Sequence, residues 1–169
     1  LNCQWCHNPE SISPKGQKLF TAAKCIGCGE CCRACPVDAC RLAPDGVVTD
    51  GDLCTLCGQC AEVCPTLATQ MSGRYYSVAE LLQVVEKERP FFDQSGGGVT
   101  FSGGEPLLYP EFLIELLEAC GRQGVHRAVD TSGFVKKEVL LKVAQHTDLF
   151  LYDLKMVDAE KHKRYTGVD

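Results

Sequence analysis

The sequence has no apolar run approaching the roughly 18 residues that a membrane-spanning helix needs, so nothing in its hydropathy calls for a membrane. It has no excess of basic residues. Lys and Arg number 17 against 22 Asp and Glu, for a formal net charge of −5, and the clustered positive charge that a nucleic-acid partner demands is missing. No signal peptide opens the chain, and a composition of 45% hydrophobic and 23% charged residues is not that of a disordered segment. The expectation is a globular, cytoplasmic protein with no membrane and no nucleic acid among its partners. The sequence also lacks an initiating Met, opens almost on top of a cysteine motif, and stops at Asp169 within a repeating pattern. It reads as a fragment lacking both ends: a small cysteine-bearing domain plus part of a larger one.

What the chain has in abundance is cysteine, 13 in all. Most fall in tight C-x-x-C groups, which favour metal over disulfide pairing and imply a reducing compartment. Cys25, Cys28, Cys31 and Cys35 precede Pro36, and Cys54, Cys57, Cys60 and Cys64 precede Pro65. Each run is C-x2-C-x2-C-x3-C-P, the bacterial ferredoxin spacing for two [4Fe–4S] clusters. Zinc is the competing reading, but a tetrahedral zinc site takes four ligands, usually as two separated pairs. By the ferredoxin crossing rule, Cys25, Cys28, Cys31 and Cys64 hold one cluster and Cys54, Cys57, Cys60 and Cys35 the other. Cys32 and Cys40 are left over and are expected to pack as small apolar residues, and Cys120 is expected in a core.

The organisation follows from turn chemistry and periodicity. An opening segment, 1–20, carries turn signals at Asn8-Pro9 and Pro14-Lys15-Gly16; a twice-repeated cysteine block spans 21–73; alternating helices and strands fill 74–169. Ser77-Val78-Ala79-Glu80 is a capping box, with Tyr76 as a staple, opening a helix that runs to about Arg89 before Pro90. Val99 to Ser102 predicts a strand, and Pro110 opens a helix with Phe112, Leu113, Leu116, Leu117 and Cys120 on one face. His126 to Thr131 and Asp148 to Asp153 predict strands, and Lys136 to Gln145 a helix. Such alternation implies a parallel sheet, whose functional residues gather at the carboxyl ends of the strands. Ser102-Gly103-Gly104-Glu105, Asp130-Thr131-Ser132-Gly133 and Asp153-Leu154-Lys155 all fall there, and three strand ends would form one site. The plainer alternatives are that Gly103-Gly104-Glu105 is a helix-opening turn, that Asp130 caps a turn and that Lys155 is solvated.

At the start of the chain, Cys3-Gln4-Trp5-Cys6 with His7-Asn8-Pro9 resembles the end of the C-x3-C-x2-C loop of the radical S-adenosylmethionine superfamily, with Trp5 as the aromatic residue before its last cysteine. The family's first cysteine would fall two positions before Leu1. Ser95 to Leu107, Asp130-Thr131-Ser132-Gly133 and Tyr152-Asp153-Leu154-Lys155 extend the likeness. Together they resemble the glycyl-radical-enzyme activating enzymes, typified by pyruvate formate-lyase activase, in the branch with a two-cluster ferredoxin-like insertion.

The resemblance implies part of a (β/α)6 barrel carrying an inserted bis-[4Fe–4S] domain. It further implies an oxidoreductase in which a three-cysteine cluster, held here by Cys3 and Cys6, reductively cleaves S-adenosyl-L-methionine to a 5′-deoxyadenosyl radical. That radical would install a glycyl radical on a partner enzyme. Trp5, Gly103, Gly104, Glu105 and Lys155 would bind the cofactor, Glu105 accepting from its ammonium and Lys155 pairing with its carboxylate. Asp130, Thr131 and Asp153, with the Leu151 carbonyl, would surround a monovalent cation. The expected partners are a glycyl radical enzyme and an electron donor such as flavodoxin or ferredoxin. Two other readings remain open here: a radical enzyme acting on a peptide or small molecule with auxiliary clusters, and a ferredoxin-like electron carrier. His7 reads as loop-ordering. His162, in a charged helix, reads as exposed, and no role follows for it.

Overall fold

In the computed structural model, which describes residues 1–7, 9–13 and 16–168, the chain divides into two units. One is Ser13–Tyr75; the other joins Leu1–Ile12 to Tyr76–Asp169. The turn signals at Asn8 and at Pro14-Lys15 lie outside the described residues.

The cysteine unit is built twice from one pattern. β1 (Lys18–Phe20) precedes the first run, followed by a one-turn helix α1 (Glu30–Arg33), then β2 (Cys40–Ala43) and β3 (Gly46–Thr49). After the second run come α2 (Gln59–Glu62) and β4 (Thr69–Met71). β2 pairs antiparallel with β3, and β4 pairs antiparallel with β1. Lys18–Phe20, placed by sequence in the opening segment, thus completes this unit.

The backbone repeats with the cysteines. Left-handed conformations recur 29 positions apart at Gly27 and Leu56, Gly29 and Gly58, and Asp38 and Leu67. For Leu such a conformation costs on the order of 1–2 kcal/mol, and it persists only where the surroundings enforce it. Gly29 and Gly58 each open the one-turn helix that carries the third cysteine of its run. The small core here is Cys31, Val47 and Cys60, with Phe20, Cys25, Cys32 and Cys40 packed against it.

The second unit is α/β. α3 (Val78–Lys87) starts at Ser77, and the capping box forms: Ser77 Oγ accepts from Glu80 N at 3.2 Å, and Glu80 Oε2 accepts from Ser77 N at 2.7 Å. Pro90 ends that helix but also sits in the first turn of α4 (Arg89–Ser95), where its missing N–H has no intrahelical partner to lose. β5 (Gly98–Phe101), α5 (Pro110–Arg122), β6 (His126–Thr131), α6 (Lys137–Ala144), β7 (Leu149–Tyr152) and α7 (Ala159–Thr166) follow. The three strands form a parallel sheet in the sequential order β5-β6-β7, so each crossover adds a strand beside its predecessor. This is a singly wound sheet, as a barrel requires, with no switch of direction.

α5 organises the core. Leu113 and Leu117 pack with Leu107, Val129 and Val143, while Leu116 and Cys120 pack with Val125 and the apolar faces of α3 and α4. Burying a side chain such as Leu117 completely contributes roughly 1.5–3 kcal/mol. Cys120 is a core residue, fully buried. Phe112, expected on the same face, is instead 37% exposed: it lies one residue off the buried stripe, and periodicity alone did not set the edge of that stripe. Among the described residues, no helix is long and apolar enough to cross a membrane.

Candidate functional site

The carboxyl ends of β5, β6 and β7 open into one cavity of about 330 Å³. Its lining includes Cys3, Trp5 and Cys6 from the opening loop, Gly103, Gly104 and Glu105 after β5, Asp130, Thr131 and Ser132 at the end of β6, and Asp153 and Lys155 after β7. Every residue expected from sequence to bind the cofactor or the first cluster borders this one space. His7 borders it too; Leu151 does not, although it pairs with Asp130 in the sheet.

The cysteine loop is held by the end of α7. The last carbonyls of a helix have no intrahelical donor. Here Thr166 O accepts from Asn2 N at 2.9 Å and Tyr165 O accepts from Gln4 N at 3.0 Å, while Cys6 N donates to Cys3 O at 3.0 Å to close the turn. The Trp5 ring lies 6.1 Å from that of Tyr165. His162 is not free in solvent. Its Nδ1 lies 3.0 Å from Val168 O, and Thr166 Oγ1 donates to His162 O at 2.8 Å, which fixes the chain as it leaves α7. Sequence reading missed the support that α7 gives the Cys3–Cys6 loop because those contacts join residues about 160 positions apart.

Glu105 is the hub of the strand ends. Its Oε1 accepts from Thr131 Oγ1 at 2.5 Å and Leu107 N at 3.3 Å, and its Oε2 accepts from Ser132 N at 3.1 Å and Ser132 Oγ at 2.6 Å. A carboxylate offers about four acceptor positions. Those that the sequence reading reserved for a ligand ammonium are engaged by β6 and by the turn that Glu105 itself caps. Ser132 was visible in sequence as a strand-end residue, but its bond to Glu105 was not. Ser102 Oγ donates to Asp130 Oδ2 at 3.0 Å, and Lys155 Nζ pairs with Asp153 Oδ2. That bond, first, and then the nearby Cys3 and Asp130, hold the Lys155 pKa above its ordinary value. Gly104 has no room for a side chain, since a Cβ there would lie 2.6 Å from Ser11 O.

The donor set fits the group that the family resemblance implies. Two thiols on one tight turn suit adjacent irons, and an ammonium beside carboxylates and bare glycine backbone suits an amino-acid ligand.

The cysteine unit holds two smaller cavities. One is bordered by Cys25, Cys28, Cys31 and Cys64, the other by Cys35, Cys54, Cys57 and Cys60, the same two sets of four that the crossing rule expects. Among the described residues no three His, Cys, Asp or Glu side chains converge as a single ion would need. Burial pushes the Cys31 thiol up to about 11, with Cys32 adding to the shift, and burial also raises Cys60. Cys35 and Cys64 shift downward because backbone N–H groups point at them, from Val37 foremost and from Thr69 foremost respectively. Cys40, expected as inert packing, accepts from Lys18 Nζ at 3.0 Å and borders the second cavity. Burial alone would lower the Lys18 pKa; the Cys40 bond and the sulfurs of Cys60, Cys40 and Cys31 reverse this to a net rise.

This is an α/β protein with a cysteine-bearing pocket at the ends of parallel strands. The family model for the radical SAM superfamily matches residues 1–169, and the chain belongs to that family. It is 43% identical to the choline trimethylamine-lyase activating enzyme of Oleidesulfovibrio alaskensis, over 99% of this chain and 55% of that protein. It is 42% identical to the trans-4-hydroxy-L-proline dehydratase activating enzyme of Clostridioides difficile, over 99% and 56% respectively. It is 43% identical to the benzylsuccinate synthase activating enzyme of Thauera aromatica, over 99% and 52%. The chain spans about half the length of these curated relatives.

Proposed function

We propose that this chain is part of a cytoplasmic glycyl-radical-enzyme activase. The observation that carries the reading is the convergence of Cys3, Cys6, Gly104, Glu105, Asp130, Asp153 and Lys155 on one cavity at three strand ends. The names of the relatives, each an activating enzyme, support it. When bound, a [4Fe–4S] cluster supplies the electron that cleaves S-adenosylmethionine to methionine and the radical that takes a hydrogen atom from a glycine Cα of the partner enzyme.

The chain's own residues position that chemistry. Cys3 and Cys6 supply thiolates, and α7 holds their loop. Glu105 braces the Gly103-Gly104 turn against β6, leaving glycine backbone carbonyls as the acceptors for the ligand ammonium. Lys155 exchanges its bond with Asp153 for one to the ligand carboxylate, and Asp130, Thr131 and Asp153 offer oxygens to a monovalent cation. Trp5 packs on the cofactor side of the loop.

The block 21–73, completed by β1, is an inserted two-cluster domain in a partial (β/α)6 barrel. Cys25, Cys28, Cys31 and Cys64 form one site and Cys35, Cys54, Cys57 and Cys60 the other. The support lies in two cavities, each bordered by its set of four cysteines and the second by Cys40 as well, and in the left-handed residues that shape both loops. Clusters held there would pass electrons inward from a flavodoxin or ferredoxin donor, or would help to dock that donor.

The test uses the full-length protein, reconstituted without oxygen and given a low-potential reductant. The expected results are about twelve iron atoms per chain, deoxyadenosine release, and a glycyl radical signal on a candidate partner by electron spin resonance. Iron at that level without any deoxyadenosine would refute the activase reading.

A further inference from the structure

The 29-residue repeat makes the two small cavities pseudo-equivalent, and the places where the equivalence breaks are informative. Cys40 opens β2 as Thr69 opens β4. Lys18 pairs with Met71 of β4 as Val47 pairs with the corresponding Leu42 of β2. The cavity of Cys25, Cys28, Cys31 and Cys64 is therefore bordered by Val47 and Thr69, and that of Cys35, Cys54, Cys57 and Cys60 by Lys18 and Cys40 in the same positions. One site has an apolar wall where the other has an ammonium. The ammonium is fixed in place: Lys18 Nζ donates to Thr49 Oγ1 at 2.7 Å and to Cys40 Sγ at 3.0 Å, tying β1 to the β2–β3 hairpin.

A cubane gains one negative charge on taking up one electron, and cluster potentials follow local charge, hydrogen bonds to sulfur and solvent exposure. In a partly buried setting a nearby fixed cation acts on that added charge through a lower dielectric than water. We propose that Lys18 makes the two auxiliary sites electrostatically unequal, so that the cluster at Cys35, Cys54, Cys57 and Cys60 is the more easily reduced, with Cys40 serving as the partner of Lys18 and not as an iron ligand. An electron delivered to this unit settles first at the Lys18 site. Lys18 is a positioning residue that acts through the cluster, and the inference rests on the two-cluster reading above.

The experiment is a stepwise anaerobic titration of the full-length protein with titanium(III) citrate as the one-electron reductant, followed by electron spin resonance and preceded by iron analysis. Cys57→Ser identifies the signal of the Lys18-side cluster by altering one of its ligands. The expected result is that Lys18→Met leaves iron content unchanged. It should lower the reduced-to-oxidised ratio of that cluster about tenfold at a fixed potential, which is 59 mV for a one-electron couple. Lys18→Arg should restore the wild-type value, and Cys40→Ala should keep all the iron.

Wild-type iron near four atoms per chain would sink the two-cluster reading itself. Full iron with an unshifted Lys18→Met titration, or with the shift on the other cluster, would overturn the assignment to Lys18. Loss of about four irons in Cys40→Ala would make Cys40 a ligand and overturn its assigned place. Should Lys18→Met lose iron, Lys18→Gln takes its place in the same titration, with the same outcomes deciding.

Discussion

Replacing Glu105 with Gln changes one oxygen into an NH2 group and removes the charge, while the shape is kept. Because Oε1 and Oε2 each accept from one backbone N–H and one hydroxyl, either orientation of the amide turns NH2 toward a backbone N–H. The less costly orientation gives up the longer bond, that from Leu107 N at 3.3 Å, and with it the cap of the short 3-10 turn Pro106–Leu108. Losing a cap of this kind costs about 1 kcal/mol. The hydroxyls of Thr131 and Ser132 can rotate to suit the amide, but their bonds lose the strengthening that an ionised acceptor gives, a further 1–2 kcal/mol or so. The sum is roughly 2–3 kcal/mol, which for a unit of about a hundred residues lowers the melting temperature by about 10 °C. The assay is far-UV circular dichroism on heating, which follows the α/β unit because the long helices lie there. Glu105→Ala should melt lower still. A Glu105→Gln protein melting within about 2 °C of wild type would refute the reasoning that Glu105 joins β5 to β6.

Gly104→Ala should weaken S-adenosylmethionine binding at least tenfold by equilibrium dialysis, because the new methyl would press on Ser11 O across a 2.6 Å gap; wild-type affinity would show that the approach is not that close. Acid should loosen the pairing between the starts of β6 and β7. The Arg127 guanidinium, foremost, holds the Asp148 carboxyl down at about 2 against an ordinary 3.8, and a group that binds fewer protons when folded stabilises above its unfolded pKa. That stabilisation is present above about pH 4 and lost as the pH falls toward 2, about 1 kcal/mol after allowing for solvent exposure of the pair. Asp148→Asn should flatten this stretch of the stability profile measured by urea unfolding. Ser77→Ala should cost about 1 kcal/mol through loss of the capping box, read as a lower urea midpoint with unchanged slope.

Local patterns were legible wherever a covalent spacing or a short period carries the information. The strand His126–Thr131, the helix starting at Pro110 and the capping box at Ser77 follow from periodicity and backbone chemistry that act within a few residues. The cysteine runs state their grouping by spacing, and the Gly103-Gly104-Glu105 and Asp153-Leu154-Lys155 segments could be placed at strand ends because alternating strands and helices bring those ends to one side. Long-range choices were not legible. Which donors satisfy Glu105 and how the end of α7 holds Cys3 and Cys6 depend on groups brought together from distant parts of the chain. Pro90, read as a stop, opens another helix because the first turn of a helix needs no N–H from it. Lys18 shows the division most sharply: on its own it is one lysine in a three-residue strand, and only the pairing of β1 with β4 sets its charge beside Cys40 and the second set of four sulfurs. Sequence alone determined where the cysteine spacings fall and which polar segments stand at strand ends, since residue type and period act within a few residues; the tertiary structure decided what each side chain faces, since hydrogen bonds and charges act through space and not along the chain.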